Sequence, residues 1–273
     1  MEKIESYEQC NLLIKNFKKN NNKTITNFFF LPKELKALIA SKEIFYQENK
    51  EALIFCIEEK DFSHIFYFVN EKSFFELENT EKIMIIDLIA RKICVSKEIE
   101  LEEKIWRSVG FKEYKQYIRL WYHLEKDFYE KIESDRHRDY QLTYAELMDR
   151  NAVLDIWETN LDKYSSPLPN DTDMEHLLKS GHIFVAKREG IVKGAVYMDV
   201  ASKSCILKHL VVIPSCRRQG LSTALMNYAL KAMVLEHIER CYLWVDINNT
   251  PAYENYKKYG FEEDGLWSKQ LMR

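Results

Sequence analysis

The chain has 273 residues, 46% of them hydrophobic and 30% charged, a length that fits two typical domains and a composition typical of a folded protein, not a disordered one. The net charge of -3 offers no general attraction for phosphate backbones, so we expect no nucleic-acid partner. The amino terminus has no signal-peptide-like stretch, and no run of about 18 apolar residues is long enough to span a membrane, so we expect a cytoplasmic protein without a membrane partner.

The six cysteines are scattered along the chain without any C-x-x-C spacing. Zinc sites and disulfide frameworks show regular cysteine spacings, so we predict reduced thiols and no metal site. Other residue types must therefore carry the chemistry.

The first half of the chain contains three apolar runs that resemble strands or buried segments, at 52–57, 64–69 and 83–89. The most polar stretch near the middle is 133–139. Because domain boundaries fall in polar, exposed segments, we predict a first domain over 1–133 and a second over 139–273.

The second half predicts the element order β-α-α-β-β-β-α-β-α-β from its hydrophobic periodicity. The predicted strands are 140–143, 183–186, 194–198, 205–213 and 241–247, and the last strand region begins at Gly260-Phe261. The predicted helices are 145–161, 173–179, 221–237 and 252–258. Gly181 is expected to end the second helix, and Glu189-Gly190 is expected to form a hairpin turn.

The segment Arg217-Arg218-Gln219-Gly220-Leu221-Ser222 lies between a predicted strand and a predicted helix. The first turn of a helix presents backbone N–H groups without intrahelical partners, and the helix dipole adds positive charge there. A strand, a glycine-containing loop and a helix in this order therefore predict an anion site that fits a pyrophosphate. Taken alone, the same stretch also fits a solvated helix start with a turn glycine.

Two motifs in this half resemble those of the GNAT family of N-acetyltransferases. The cofactor motif Arg/Gln-x-x-Gly-x-Gly/Ala is matched by Arg217 and Gly220, with Ser222 in place of the final Gly/Ala. The downstream motif Asn-x-x-Ala-x-x-x-Tyr-x-x-x-Gly-Phe is matched in full by Asn249, Ala252, Tyr256, Gly260 and Phe261. Two motifs in the family order are far more specific than either one.

The resemblance implies an α/β (α+β) fold with a mixed central sheet flanked by helices, and acetyl-CoA as co-substrate. In the family the fourth strand parts from its neighbour and its backbone pairs with the pantetheine arm, while the loop binds the pyrophosphate. Asn249 would bond the pantetheine or cap the following helix. The residues expected to bind acetyl-CoA are Val211, Val212, Ile213, Arg217, Arg218, Gln219, Gly220, Leu221, Ser222, Thr223, Asn249 and Tyr256.

The catalytic acid implied by the resemblance is Tyr256, which matches the family tyrosine that protonates the departing thiolate; its alternative is an aromatic packing residue. The base is less well defined. Lys208 and His209 hold the fourth-strand positions where many family members place a base, so His209 is the candidate base, with an ordinary strand histidine as the alternative.

Four residues are expected on the acceptor side of the site. Because strand neighbours point to opposite faces, Lys208 would lie on the cleft side and bind a substrate carboxylate. Asp246 is a further candidate on the neighbouring strand. The loop between the first two helices often contacts substrate in the family, which adds Tyr164 and Ser165, although a plain surface loop fits them equally well.

The first half resembles the second only at its end. Trp106 stands four residues before Gly110-Phe111, where Tyr256 stands before Gly260-Phe261, an offset of 150 positions. The first half contains no Arg/Gln-x-x-Gly-x-Gly/Ala loop, so we predict tandem GNAT-like folds in which the first is degenerate and lacks CoA.

The sequence thus predicts an N-acetyltransferase that moves an acetyl group from acetyl-CoA to a primary amine of a small metabolite, amino acid or peptide, acting as a monomer or homodimer. A non-catalytic acetyl-CoA sensor is the main alternative. A third interpretation, transfer of aminoacyl groups from tRNA by tandem GNAT-like enzymes, is disfavoured by the slightly acidic composition.

Overall fold

A computed structural model describes residues 1–21, 23–70, 75–78, 80–91, 99–124 and 139–273. The chain divides into two compact units. Unit 1 comprises 1–118, 246–250 and 265–273, and unit 2 comprises 119–245 and 251–264. The predicted boundary at 133–139 lies outside the described residues except for Asp139.

Unit 1 is built on a sheet whose strand order is β1-β3-β4-β5-β6, and β2 pairs with β5. The last strand of the chain, β13 (Glu262–Met272), pairs antiparallel with β6 from Leu266 to Met272. The elements that precede unit 2 are β1 (Glu2–Lys3), α1 (Tyr7–Asn20), β2 (Thr24–Thr26), α2 (Pro32–Ser41), β3 (Ile44–Glu48), β4 (Ala52–Glu58), β5 (Phe62–Asn70), β6 (Ile83–Arg91), α3 (Glu100–Ser108) and β7 (Lys112–His123), which runs into unit 2.

The core of unit 1 lies on both faces of its sheet. β4 is a continuous apolar run whose first six residues are all buried, the pattern of a strand covered on both sides. One apolar cluster contains Tyr67 and Trp106, and another contains Phe17 and Phe55. The three apolar runs predicted in the first half are therefore strands β4, β5 and β6.

Unit 2 has the strand order β8-β9-β10-β11-β12. The strands from β8 to β11 pair antiparallel, and β11 pairs parallel with β12. Its elements are β8 (Gln141–Tyr144), α4 (Arg150–Asn160), α5 (Asp171–Ser180), β9 (Ile183–Arg188), β10 (Ile191–Ala201), β11 (Ser204–Val212), α6 (Leu221–Leu235), β12 (Arg240–Asp246) and α7 (Thr250–Tyr259). With β13, this is the element order predicted for the second half.

Local signals explain where these helices begin and end. The Asn170 side chain accepts a hydrogen bond from the Asp173 N–H at the start of α5, and Gly181, in the left-handed region at φ 73°, ends it as predicted. The helix predicted at 145–161 begins later, because residues 147–149 form a 3₁₀ turn. The Asp149 carboxylate holds that turn by accepting from the Glu146 N–H at 2.9 Å and by pairing at 2.8 Å with the ammonium of Lys187, whose side chain is 12% exposed.

The five cysteines among the described residues are buried free thiols, and Cys94 lies outside those residues. Within the same described part of the chain, no helix is both long and apolar enough to cross a membrane.

Candidate active site

Strands β11 and β12 run side by side for only a short distance. They pair at Ser204–Ile206 with Arg240–Tyr242, although β11 continues to Val212. Beyond Ile206, β11 keeps its pairing with β10 on its other edge. The two strands therefore part within unit 2, as the family resemblance implied for the fourth strand.

A β-bulge lies where the strands part. The register of β10 with β11 shifts between Ala195 and Tyr197, so that β11 carries one residue more than β10 over this stretch. His209 lies in the bulge with φ 53°, in the left-handed region that is uncommon for a residue other than glycine. A bulge bends its strand and increases its local twist, which is the physical cause of the divergence.

Not all backbone groups of the predicted pantetheine-binding stretch, residues 211–213, face away from β10. Ile213 donates its N–H to the Lys193 carbonyl at 3.0 Å, and its own carbonyl accepts from Cys216 N–H at 3.0 Å. Backbone groups alternate sides along an antiparallel strand, so Val211 also faces β10 and Val212 faces away from it. Of the predicted residues Val211, Val212 and Ile213, Val212 is thus the one whose backbone groups face away from β10, and the pantetheine contact stays a prediction.

The predicted anion loop, residues 217–222, lies beyond β11 and extends into the first turn of α6. Gly220 is the N-cap of α6 with φ 78° and ψ 3°, and Arg218 is also left-handed at φ 60°. The first intrahelical bond joins the Ala224 N–H to the Gly220 carbonyl at 3.0 Å. The N–H groups of Leu221, Ser222 and Thr223 precede that bond and are available to an anion at the positive end of the helix dipole.

Arg217 connects this loop to β11 and to α4 by hydrogen bonds. Its Nε donates to the Val212 carbonyl at 2.8 Å, and its Nη2 donates to Asn160 Oδ1 on α4 at 2.6 Å. Arg217 is a predicted cofactor ligand, and in the structure two of its guanidinium nitrogens, Nε and Nη2, donate to protein groups. Arg218 and Gln219 are exposed on the loop.

Helix α7 carries three tyrosines in different environments. The hydroxyl of Tyr253 donates to Glu263 at 2.7 Å, and that of Tyr259 donates to Asn227 at 2.6 Å. The Tyr256 ring packs against the buried Phe261, with centroids 5.7 Å apart. Burial, with a smaller contribution from the nearby Cys241, raises the pKa of Tyr256 to about 12, so its phenol is protonated at neutral pH.

The predicted base, His209, lies under α4. Its ring contacts Trp157 at 5.0 Å and Tyr197 at 6.5 Å between centroids. Burial, with a smaller contribution from the positive charge of Lys208, lowers the pKa of His209 to about 4. The imidazole is therefore neutral at physiological pH and is a weak proton acceptor.

Lys208 lies on the same face of the sheet as His209, and not on the opposite one as we predicted. Its ammonium pairs with Asp199 Oδ2 at 2.5 Å. Asp199 and Tyr197 are two residues apart on β10 and so share a face, and the residues of β11 that contact them share it as well. The bulge breaks the simple alternation on which the prediction relied.

Sequence reasoning missed Asp199 as a site residue. Asp199 and Lys208 lie on the neighbouring antiparallel strands β10 and β11, and opposite charges on paired strands commonly interact, so this pattern could have indicated the pair. The carboxylate also accepts a hydrogen bond from Tyr197, whose pKa is raised above its ordinary value mainly by burial and also by this charge.

The other predicted acceptor residues have mainly local partners. Asp162 Oδ1 accepts from the N–H groups of Tyr164 at 3.0 Å and Ser165 at 3.1 Å, and from the Ser165 hydroxyl at 3.1 Å, which fixes the loop after α4 as a tight turn. Asp246 and Asn249 belong to unit 1. The Asp246 carboxylate accepts from the Asn248 N–H at 2.9 Å in the turn before α7.

Known proteins resemble this chain as follows. The sequence model of the acetyltransferase (GNAT) family matches residues 118–261. An N-alpha-acetyltransferase from Sulfolobus acidocaldarius is 32% identical over 145 residues, which are 48% of this chain and 84% of that protein.

Two solved structures resemble the chain over most of its length. The crystal structure of a GCN5-related N-acetyltransferase from Sphaerobacter thermophilus has a TM-score of 0.60 and 10% identity, covering 82% of this chain and 76% of that one. A tandem GNAT protein from the clavulanic acid biosynthesis pathway has a TM-score of 0.58 and 8% identity, covering 85% of this chain and 82% of that one. At such identities the likeness concerns the fold alone, and it confirms the predicted α/β class with a mixed sheet flanked by helices.

Proposed function

The chain belongs to the acetyltransferase (GNAT) family, and on that premise we propose that unit 2 transfers an acetyl group from acetyl-CoA to a primary amine, with the α-amino group of a peptide as the favoured acceptor. One observation carries the proposal. Strand β11 parts from β12, and residues 213–219 then lead to a left-handed glycine at the start of α6. That arrangement supplies a slot for an extended arm and an anion site at its end.

Acetyl-CoA fits the donor groups that unit 2 presents. The outward N–H group of Val212, whose carbonyl accepts from Arg217, suits an amide carbonyl of a pantetheine arm, and the N–H groups of Leu221, Ser222 and Thr223 suit a pyrophosphate. When bound, acetyl-CoA supplies the thioester carbonyl that an amine attacks. The protein's part is to hold that carbonyl, to accept a neutral amine and to protonate the leaving sulfur.

Tyr256 is the proposed acid. A phenol with a pKa of about 12 stays protonated through the physiological range, so the proton is present when a thiolate develops. Tyr253 and Tyr259 have their hydroxyls bound to protein side chains, which leaves Tyr256 as the best-suited tyrosine of α7.

The absence of a strong base at His209 favours an α-amine over a lysine side chain. Bringing a lysine-like amine of pKa about 10.4 to its neutral form at pH 7 costs roughly 4–5 kcal/mol, whereas an α-amine of pKa about 7.7–8.0 costs about 1 kcal/mol. An imidazole whose pKa is about 4 supplies little of the larger amount. The relative from Sulfolobus acidocaldarius, an N-alpha-acetyltransferase by name, supports the same acceptor class.

The acceptor side of the proposed site is the α4 face of the sheet. There His209 lies beside Trp157, and the half-exposed Lys208–Asp199 pair offers both signs of charge to a polar acceptor. Tyr164 and Ser165 remain candidates at the rim. The cytoplasmic location and the monomeric or homodimeric state stay predictions.

The test is a thiol-release assay on the full chain with acetyl-CoA and three acceptors. These are a peptide with a free α-amine, the same peptide with a blocked α-amine and a free lysine, and a panel of small amines and amino acids. We expect thiol release with the first peptide, and mass spectrometry should place the acetyl group on its first residue. Modification of the lysine in the blocked peptide alone would overturn the α-amine assignment. Acetyl-CoA binding without turnover on any amine would favour the sensor interpretation.

A further inference from the structure

Unit 1 repeats the strand divergence of unit 2. Its strands β5 and β6 are parallel neighbours, and they pair only at Phe62–His64 with Ile83–Ile85. Beyond His64, β5 continues to Asn70 with β4 along one edge. In unit 2, the matching strands β11 and β12 part after three residue pairs and leave an edge for the pantetheine arm.

In unit 1 that free edge is filled by the protein's own chain. β2 lies between α1 and α2, whereas the described residues 161–170 that join α4 to α5 in unit 2 contain no strand. β2 pairs antiparallel with the far end of β5, placing Thr24 to Thr26 opposite Asn70 to Phe68. The Thr26 hydroxyl also donates to the Tyr67 carbonyl at 2.5 Å. The outer end of the slot is therefore occupied by a strand.

The remaining stretch of the edge is covered by one side chain, that of Asn27. Its Oδ1 accepts from the Tyr67 N–H at 2.9 Å, and its Nδ2 donates to the Ile65 carbonyl at 3.1 Å. The same Nδ2 reaches the Asp87 carbonyl on β6 at 3.2 Å. Asn27 is 7% exposed, so its carboxamide joins the two parted strands inside the unit. The donor and acceptor of a carboxamide are the groups that an amide of pantetheine would offer to the same edge.

The position that corresponds to Tyr256 is also filled. Trp106 on α3 is fully buried, and its ring packs between Tyr67 at 4.7 Å and Phe111 at 5.4 Å. The hydroxyl of Tyr67 is held by the buried Glu102 carboxylate. In unit 1 the position that corresponds to Tyr256, the proposed acid of unit 2, is therefore occupied by a residue of the aromatic core, Trp106.

The connection that would carry the phosphate site is short in unit 1. β5 and β6 are joined by residues 71–82, whereas β11 and β12 are joined by 213–239, which include the 15-residue helix α6. The unit 1 connection has 12 residues, fewer than α6 alone, so a helix as long as α6 does not fit between β5 and β6.

We propose that β2 and Asn27 are an intramolecular substitute for the pantetheine arm, which keeps the parted strands of unit 1 together without a coenzyme. Unit 1 is thus a permanently filled copy of the fold, and each chain binds one acetyl-CoA, at unit 2. The Asn27 part of this inference does not rest on the proposed acceptor or on catalysis.

Hydrogen exchange of the full chain, read by mass spectrometry, tests the substitute directly. In the Asn27→Ala variant we expect the segment 62–70 to exchange faster by about tenfold or more, since three backbone groups lose their partner. The matched control is Asn49→Ala, which removes a carboxamide that accepts from the Glu51 and Ala52 N–H groups in the exposed β3–β4 turn. The control should leave 62–69 unchanged; Asn70 is set aside because its N–H donates to the Glu51 carbonyl of the same turn at 3.0 Å. Equal exchange in wild type and Asn27→Ala would overturn the proposal.

Wild-type measurements keep the inference testable if Asn27→Ala does not fold. Calorimetry should give one equivalent of acetyl-CoA per chain, and acetyl-CoA should protect 211–223 but not 62–70. Two equivalents, or protection of 62–70 by acetyl-CoA in a Gly220→Val variant, would overturn it. If wild type binds no acetyl-CoA, the proposed function fails, while the exchange of Asn27→Ala still decides the role of Asn27.

Discussion

Gly220→Ala tests the anion loop most sharply, because the chain contains a control with nearly the same backbone. Gly220 has φ 78° and ψ 3° at the start of α6, and Gly181 has φ 73° and ψ 15° at the end of α5. A Cβ on Gly181 would meet only Tyr144 Cδ1 at 3.9 Å, an ordinary contact. Alanine in the left-handed region costs about 1–2 kcal/mol at either position.

The two variants should therefore lose similar stability but differ in coenzyme binding. For a unit of this size, a loss of 1 kcal/mol lowers Tm by about 2–4 °C. At Gly220 the strain is relieved by turning the chain away from φ 78°, which redirects the N–H groups of Leu221, Ser222 and Thr223. Losing one hydrogen bond to a charged group costs about 1.5–3 kcal/mol, or a rise of roughly 10- to 150-fold in Kd.

Thermal melts and calorimetric titration with CoA measure both quantities in the same samples. We expect Gly181→Ala to melt lower while keeping the wild-type Kd, and Gly220→Ala to melt lower with a Kd raised by at least about tenfold. Equal Kd values in wild type and Gly220→Ala would refute the assignment of the pyrophosphate to this loop. A raised Kd in Gly181→Ala as well would show that strain alone accounts for the loss.

Three further changes test other parts of unit 2. Tyr256→Phe should lower kcat by about a hundredfold or more with little change in the KM for acetyl-CoA, while Tyr253→Phe on the same helix should keep the wild-type rate; equal rates would remove Tyr256 as the acid. Because the native pKa of His209 is about 4 and its ordinary value is 6.5, the unfolded chain takes up this proton at higher pH. Wild type should thus lose roughly 3 kcal/mol more stability than His209→Asn between pH 6.5 and 4, as followed by urea unfolding. Asp149→Asn should cost about 3 kcal/mol because it leaves the mostly buried ammonium of Lys187 without its charged partner, whereas Asp171→Asn, in an exposed pair, should cost at most about 1 kcal/mol in the same assay.

The candidate site residues that the sequence indicates most directly are those whose signal is local. Gly220 and its loop could be found because a glycine between a strand and an amphipathic helix marks a helix start, whatever surrounds it. Tyr256 could be placed because it stands at a fixed distance before Gly260-Phe261 on one short helix. These residues depend on few contacts from elsewhere in the chain.

The wrong prediction about the face of Lys208 has one cause, the extra residue that the bulge at His209 adds to β11. The alternation rule put Lys208 and His209 on opposite faces, and the bulge at His209 put both on the α4 face. The bulge also decides which backbone groups of β11 face outward, and of the three predicted residues Val212 is the one whose groups face away from β10. A bulge depends on the register of two strands, and no local pattern in β11 records it.

The sequence by itself determined the order of elements in the second half, the end of α5 at Gly181, and the family, because periodicity, caps and spaced motifs are properties of short segments. Only the tertiary structure decided that the last strand pairs with β6, that the pKa of His209 lies near 4, and that Asn27 fills the parted strands of unit 1. Each of these depends on contacts between residues far apart in the chain. Strand pairing, burial and the partners of a buried carboxamide are fixed only when the whole core forms.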